Sequence, residues 1–230
     1  MSHTPSRYAV YWTPEPDHPL WNAGWQWLRR DATCVDALPP PRPDTETPRR
    51  YGFHATLKPP LTLHPRASLS SFLDAVAALA AHTPRFAMPA LTVAWLADFL
   101  ALRPAPAMDA SHPLHQLADR CVRELDPWRE MPNGDELQRR LAQHPLDAQQ
   151  RDHLLRWGYP HVFDRWRFHM TLSDSLPRDA TVLRERVAGD SHTHFAAALA
   201  APLHCESLCV FTEPAEGAPF VLTHRFALAA

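Results

Sequence analysis

The chain has almost no net charge and no long apolar segment. Its 230 residues include 23 basic and 25 acidic side chains, so the formal net charge is −2 and the pI is about 6.7. Without an overall positive field we expect no long nucleic-acid partner, and any anion site must be local. No stretch approaches the roughly 18 apolar residues of a membrane-spanning helix, and the stretch MSHTPSRYAVYW lacks the apolar run of a signal peptide. We therefore expect a cytoplasmic protein with no membrane partner.

Cysteine and lysine are also scarce. The four cysteines, Cys34, Cys121, Cys205 and Cys209, form no Cys-x-x-Cys pair, and a chain of this size does not need disulfides for stability. We interpret them as mostly buried thiols in a reducing compartment. Of the 23 basic residues 22 are arginine, so Lys58 is the only lysine. A bias against lysine codons explains the arginines, whereas a site that needs a compact ammonium charge would explain why one lysine is kept.

One five-residue phrase occurs twice in the chain. Residues 53–57 read FHATL and residues 168–172 read FHMTL. A single His-x-Thr means little in a chain with 15 histidines, but the whole phrase, once in each half, is hard to obtain by chance. The function is therefore sought around His54 and His169.

The elements predicted around the two phrases follow a similar order. In the first half, hydrophobic periodicity and turn signals predict a strand at 7–12, a helix at about 20–30, a proline-rich loop at 38–48, a helix at 68–81, and strands at 90–96 and 99–103. In the second half they predict a helix at about 179–187 that stops at Gly189, and strands near 203–211 and 220–228. Three helices between the halves are predicted at about 113–125, 135–143 and 147–157.

Capping signals support two of these helices. Ser71 and Asp74 have the spacing of a capping box in the helix at 68–81. Asp147 is the predicted N-cap of the third helix of the insertion, and Gly158 is its predicted C-terminal stop.

The element order predicts an α+β protein with two similar lobes. Each lobe is expected to be a small antiparallel sheet with helices on its outer face, and the pseudo-symmetric lobes should enclose a central cleft. Lobe one covers approximately residues 1–110, the helical insertion 111–160, and lobe two 161–230, within a single bilobal domain.

Strand geometry places the polar residues of each phrase together. Side chains alternate across a sheet, so His54 and Thr56 share one face, and His169 and Thr171 do the same in the second phrase. Two facing lobes would bring two imidazoles and two hydroxyls into one cleft. Histidine can serve as base or acid near neutral pH, and a threonine hydroxyl can donate to a phosphate oxygen.

The paired phrases resemble the His-x-Thr motifs of the two-histidine (2H) phosphoesterase superfamily. Its members act on cyclic phosphodiesters and 2′,5′-linked nucleotides without a metal. The segments RRYGFHATLKPP, LDPWRE and RWGYPHVFDRWRFHMTL resemble more closely the branch named for phosphonate metabolism, whose genes lie beside phosphonate-degradation genes. The resemblance covers nearly the whole chain. It implies a bilobal fold, no cofactor, a catalytic pair formed by His54 and His169, and phosphate-binding hydroxyls on Thr56 and Thr171.

Three further residues are candidates for substrate or phosphate binding. Lys58 shares the face of His54 only if the strand runs straight to Pro59. Arg167 lies two residues before His169 and so shares its face. Tyr51 lies three residues before His54 and would point towards the core unless a bulge intervenes.

The expected activity is metal-independent hydrolysis of a cyclic phosphodiester of a small sugar phosphate or nucleotide. Substrate choice is expected to lie in the helical insertion and in the loop at 39–49. Two alternatives remain open. The cleft could bind a nucleotide or cyclic phosphate without turnover, or His192, His194 and His204, with Cys205 or Cys209, could form a metal-dependent hydrolase site.

Overall fold

A computed structural model describes residues 6–34, 39–143 and 145–230 of the chain. The strands are β1 (Arg7–Trp12), β2 (Ala55–Thr62), β3 (Phe86–Ala87), β4 (Leu91–Leu96), β5 (Phe99–Pro104), β6 (Met170–Thr171), β7 (His204–Cys205), β8 (Ser207–Glu213) and β9 (Val221–Ala227). The α-helices are α1 (Pro19–Leu28), α2 (Glu46–Tyr51), α3 (Leu69–Ala81), α4 (Pro113–Glu124), α5 (Gly134–Gln143), α6 (Ala148–Trp157) and α7 (Thr181–Leu199).

The strands form three antiparallel sheets. One sheet has four strands in the order β2-β1-β8-β9, one has three in the order β4-β5-β6, and β3 pairs with β7. The two larger sheets and the helices are the α+β architecture that the sequence predicts, so the fold class is confirmed. Each larger sheet contains strands from both predicted lobes, because β8 pairs with β1 and β6 pairs with β5. The predicted boundaries therefore divide the chain in sequence, but each of the two larger sheets is built from both predicted lobes.

A continuous apolar core joins the two larger sheets and their helices. Alternate residues of β1 and β8, such as Val10, Trp12 and Val210, lie on the same side of the four-stranded sheet as Phe72 of α3 and Phe195 of α7. The opposite side of that sheet has a smaller aromatic cluster, which includes Tyr11, Phe211 and Phe220. The larger core covers one face of the sheet, and His54 of the first phrase lies on the other face, where it contacts Tyr11.

The capping of two helices tests the sequence signals. The α3 capping box is formed by Ser68 and Ser71, and not by Ser71 and Asp74, because the helix begins one turn earlier than that spacing implies. At α6 the predicted Asp147 cap and Gly158 stop are confirmed.

Helix α7 is much longer than predicted and runs through Gly189 without ending. Its buried positions are Val187, Ser191, Phe195 and Ala198, so the helix packs against the core on both sides of Gly189. This packing outweighs the cost of about 1 kcal/mol for a glycine inside a helix. The stop predicted at Gly189 is wrong for that reason.

The proline-rich loop is partly helical, since it contains the start of α2, and its first residue, Leu38, lies outside the described residues. Within the described ranges, no helix combines the length and apolarity that crossing a membrane requires.

Candidate active site

Both His-x-Thr phrases have the alternating faces that the sequence predicts. The apolar members of the two phrases are buried: Phe53, Ala55, Leu57, Phe168, Met170 and Leu172. The polar members are half-buried on the opposite face: His54, Thr56, His169 and Thr171.

The two histidines are held by the same local hydrogen bond. Nδ1 of His54 is 2.8 Å from the carbonyl oxygen of Gly52, and Nδ1 of His169 is 2.8 Å from that of Arg167. A carbonyl can only accept, so each Nδ1 carries the proton and each neutral imidazole has its lone pair on Nε2. Both rings are therefore fixed in the tautomer that can accept a proton at Nε2.

A hydrogen bond from a tryptophan side chain connects the two phrases. The indole nitrogen of Trp166 donates to the carbonyl oxygen of Thr56 at 2.9 Å, which ties the segment before His169 to strand β2. The charge of a protonated His169 would act to lower the pKa of His54. Strands β2 and β6 are also in contact, so the two phrases are neighbours in the fold.

Both imidazoles favour the neutral form. Burial lowers the pKa of His54 from 6.5 to about 4 against the opposing hydrogen bond to Gly52, and the nearby charges of His169 and Arg30 lower it further. Burial also lowers the pKa of His169 against its hydrogen bond to a carbonyl, and Arg103 and His161 act in the same direction as burial. The free protein therefore has two neutral imidazoles at pH 7.

The threonine hydroxyls differ in their contacts. Thr56 Oγ1 lies 3.3 Å from Nε2 of His54, and since that nitrogen has a lone pair, the hydroxyl is the donor. Thr171 is backbone-paired with Ala101, and its hydroxyl has no hydrogen bond within the described ranges. One hydroxyl positions an imidazole, and the other is available to a ligand.

Tyr11 was not among the residues predicted from the sequence. Its ring stacks on His54 with 3.8 Å between centroids and 24° between planes, and burial raises the pKa of its hydroxyl well above 10. Register explains the contact, because Tyr11 pairs with Thr56 across β1 and β2. The alternation of β1 could have placed Tyr11 on the face opposite Val10 and Trp12, but nothing in the sequence shows which strand neighbours β2.

Lys58 has a different environment from the one expected. Val10 pairs with Lys58 and Tyr11 pairs with Thr56, so Leu57 has no partner and the strand bulges there. The Lys58 side chain is 1% exposed, and its ammonium donates to the carbonyl of Val122 at 2.9 Å and to Asp126 at 3.0 Å. The condition of a straight strand is not met, and the Lys58 ammonium is paired within the protein, away from His54.

Arg167 and Tyr51 also depart from simple strand alternation. Arg167 is exposed and its guanidinium donates to the carbonyls of Asp164 and Trp166, so its contact with His169 is made by the backbone. Tyr51 ends helix α2 and is separated from the strand by Gly52, whose φ is +81°. This turn directs Tyr51 towards the site, with its ring 6.1 Å from that of His54.

The metal site considered as an alternative is not assembled. His192 and His194 lie on helix α7, where residues two apart point in different directions, and His204 lies on β7. Nε2 of His194 is 2.8 Å from the carbonyl of Ala23. In the part of the chain that the structure describes, no three His, Cys, Asp or Glu side chains are grouped to hold a metal.

An open cavity of about 790 Å³ is lined by Tyr51, whose ring is 6.1 Å from that of His54; the histidine itself does not line the cavity. Tyr51, Tyr159 and His161 line it on one side, together with Arg7 and Arg50. Tyr159 and His161 follow helix α6, so the end of the helical insertion forms part of the wall. The cavity is large enough for a small phosphorylated ligand.

Two curated proteins are similar to nearly the whole chain. Both are named Ribose 1,5-bisphosphate phosphokinase PhnN. The one from Janthinobacterium sp. (strain Marseille) is 37% identical over 240 residues, which cover 97% of this chain and 51% of that protein. The one from Laribacter hongkongensis (strain HLHK9) is 34% identical over 224 residues, which cover 94% and 50%. The chain spans about half the length of the curated relatives it matches.

Solved structures and a family profile also match. A crystal structure described as a phosphoesterase has a TM-score of 0.45 at 12% identity and covers 99% of this chain and 100% of its own. The structure of Kluyveromyces marxianus Usb1 has a TM-score of 0.35 at 11% identity, and all of both chains is covered. Likenesses this weak support no conclusion about function. The profile of the family described as "Protein of unknown function (DUF1045)" matches residues 56–221, which is well over half of the chain, and the chain belongs to that family.

Proposed function

We propose that the protein is a phosphoesterase that hydrolyses a cyclic phosphodiester of a small sugar phosphate or nucleotide by two-histidine acid–base catalysis. One observation supports the proposal: His54 and His169 belong to neighbouring segments of the fold, and each has its Nδ1 bound to the carbonyl two residues earlier. That arrangement leaves two Nε2 atoms to move protons at one phosphorus. A histidine that only stabilises the core would not require a second histidine with the same hydrogen bond.

We assign the base to His54. Its Nε2 accepts from Thr56 and therefore has no proton, and the nearby charges of Arg30 and His169 oppose its protonation. Nε2 of His54 would take a proton from water as the water oxygen bonds to phosphorus. The bond between phosphorus and the sugar oxygen then breaks.

We assign the acid to His169, which would give its Nε2 proton to the departing sugar oxygen. Burial lowers the pKa of His169 in the free protein, so this imidazole has to gain a proton when the substrate binds. A bound phosphate supplies the reason, because an anion within about 4–6 Å favours the charged form of histidine. The Thr171 hydroxyl would donate to a phosphoryl oxygen as negative charge develops there.

The substrate class follows from the cavity and from the relatives. The name of the two curated proteins gives ribose 1,5-bisphosphate as the substrate of those proteins. A phosphorylated ribose is accordingly the first substrate class to test, and the family resemblance suggests phosphonate catabolism as its setting. Tyr159, in the helical insertion, and His161, which directly follows the insertion, would contribute to substrate choice since they line the cavity.

The kinase activity in that name is not part of the proposal. A nucleotide-binding phosphate loop has the pattern G-x-x-x-x-G-K-[ST]. The single lysine, Lys58, follows Ala-Thr-Leu, so the glycine that the pattern requires directly before the lysine is absent. The two glycines that precede it in the chain, Gly24 and Gly52, are separated by 27 residues, whereas the pattern has four between its glycines. We therefore assign the kinase activity of the relatives to the half of their length that this chain does not match.

The test is hydrolysis of a panel of 2′,3′-cyclic nucleotides and ribose cyclic phosphates in excess EDTA. Wild type is compared with His54→Ala, His169→Ala and His82→Ala, the last as an exposed histidine outside the site. We expect activity that survives EDTA, remains in the control and disappears in both site variants. Tight binding without turnover would instead indicate a sensor of cyclic phosphates, and loss of wild-type activity in EDTA would contradict the metal-independent mechanism.

A further inference from the structure

A fully buried carboxylate holds two arginines at the edge of the cavity. Glu213, at the end of strand β8, is 0% exposed, and it pairs with Arg7 through one oxygen and with Arg50 through the other. Burial acts to raise the pKa of Glu213, but the hydrogen bonds from the two arginines outweigh it and hold that pKa below its ordinary value. The backbone N–H of Gly217 also donates to Glu213, at 3.1 Å.

The cluster of Arg7, Arg50 and Glu213 has a net charge of +1. One guanidinium would neutralise Glu213, and here there are two. Each arginine side chain is 34% exposed, and both line the cavity of about 790 Å³. Arg7 uses only its Nε for Glu213, so both of its Nη groups are without a hydrogen bond in the described part of the chain.

Aromatic rings connect the cluster to the histidines. The Arg50 guanidinium carbon is 5.5 Å from the centre of the Tyr51 ring, which is 6.1 Å from the His54 ring, so guanidinium and imidazole are no more than roughly 12 Å apart. The Arg7 guanidinium carbon is 5.8 Å from the ring of Phe220, which stacks on Tyr51. A small molecule with anionic groups at both ends can span that distance.

We propose that Arg7 and Arg50, oriented by Glu213, form a subsite for a second phosphate of the substrate, one that is not hydrolysed. The inference rests on the proposed function for the identity of the hydrolysed group. Arginine suits this role because its planar fork of donors matches phosphate oxygens and stays charged at every physiological pH. The substrate class is thereby narrowed to a sugar or nucleotide that has a phosphate monoester in addition to the cyclic phosphodiester.

Neighbouring charges on the cavity wall do not cancel this subsite. Glu136 also lines the cavity but is already paired with Arg139 and Arg140. Glu216 lines it too and is exposed, so water and salt screen its charge.

The test compares adenosine 3′,5′-bisphosphate with adenosine 3′-phosphate by calorimetric titration, which does not depend on turnover. The readout is the ratio of the two dissociation constants, because it isolates the contribution of the second phosphate. In wild type we expect the bisphosphate to bind at least tenfold more tightly, as charge-assisted hydrogen bonds to phosphate imply. Arg7→Gln and Arg50→Gln should bring the ratio close to one, whereas Arg178→Gln, an exposed arginine outside the cavity, should leave it unchanged.

Two further variants separate this inference from the proposed function and from misfolding. His169→Ala should weaken both ligands alike and keep their ratio, so the subsite can be established even if no cyclic phosphate is hydrolysed. Arg7→Lys and Arg50→Lys keep the ion pairs with Glu213 and should give intermediate ratios, with melting temperatures near wild type. A wild-type ratio near one, or a ratio that the Arg7 and Arg50 variants do not lower, would show that the cluster is only a structural ion pair.

Discussion

Replacing His54 by glutamine should remove a large part of the acid sensitivity of the fold. The pKa of His54 is about 4 in the folded protein and 6.5 for an exposed histidine. Below pH 6.5 the unfolded chain therefore gains a proton at this position that the folded protein does not accept until about pH 4. Stability is lost as the pH falls through that window, and above about pH 7.5 the residue has no such effect.

The size of the effect follows from the difference in pKa. Each unit corresponds to about 1.4 kcal/mol, so the separation of His54 from its ordinary value predicts a loss of about 3 kcal/mol of unfolding free energy between pH 7.5 and 4. This is an upper limit, because the ring is only half-buried and solvent screens part of the interaction.

The assay is urea unfolding at several pH values between 4 and 7.5, applied to wild type, His54→Gln and Ser191→Ala. The glutamine variant should lose less stability on acidification than wild type, by up to about 3 kcal/mol. The buried Ser191 hydroxyl bonds to the carbonyl of Val187 and does not titrate, so its removal should lower stability equally at every pH. Parallel curves for wild type and His54→Gln would refute the claim that the neutral imidazole is built into the fold.

Two other substitutions test the packing that positions the site. Asp126→Asn removes the charge that neutralises the buried Lys58 ammonium; we expect a loss of about 3–5 kcal/mol in urea unfolding, and a loss below 1 kcal/mol would contradict the buried ion pair. Gly24→Ala places a Cβ within 2.0 Å of the Phe53 ring beside His54, so we expect about 1–3 kcal/mol of destabilisation and a lower kcat, whereas a variant with wild-type stability and activity would show that this contact can relax freely.

The sequence predicts the paired site better than its surroundings. Alternation within each phrase needs only local strand geometry, and the structure has the predicted faces for His54 and His169. The duplication also predicts that the two phrases share one site. Tyr11 is different: its contact with His54 depends on the pairing of β1 with β2, which sequence periodicity does not specify.

Two departures from the sequence analysis have physical causes, and only the first leaves a signal in the sequence. The buried series Val187, Ser191, Phe195 and Ala198 has helical spacing on both sides of Gly189, and it predicts that α7 continues. The environment of Lys58 is harder to predict, because the bulge at Leu57 turns the ammonium away from the face of His54. A bulge is a property of strand register and leaves no signal in the local sequence.

The most direct test of the paired mechanism is the kcat/KM of wild type, His54→Ala, His169→Ala and the double variant on the best substrate of the cyclic phosphate panel. General acid–base catalysis contributes roughly 10²–10⁴ in rate, so each single variant should lose about that factor. Since both imidazoles act on one phosphorus in the proposed mechanism, the double variant should lose at most about tenfold more than either single variant. Losses that multiply in the double variant, or one single variant with wild-type activity, would contradict a two-histidine mechanism.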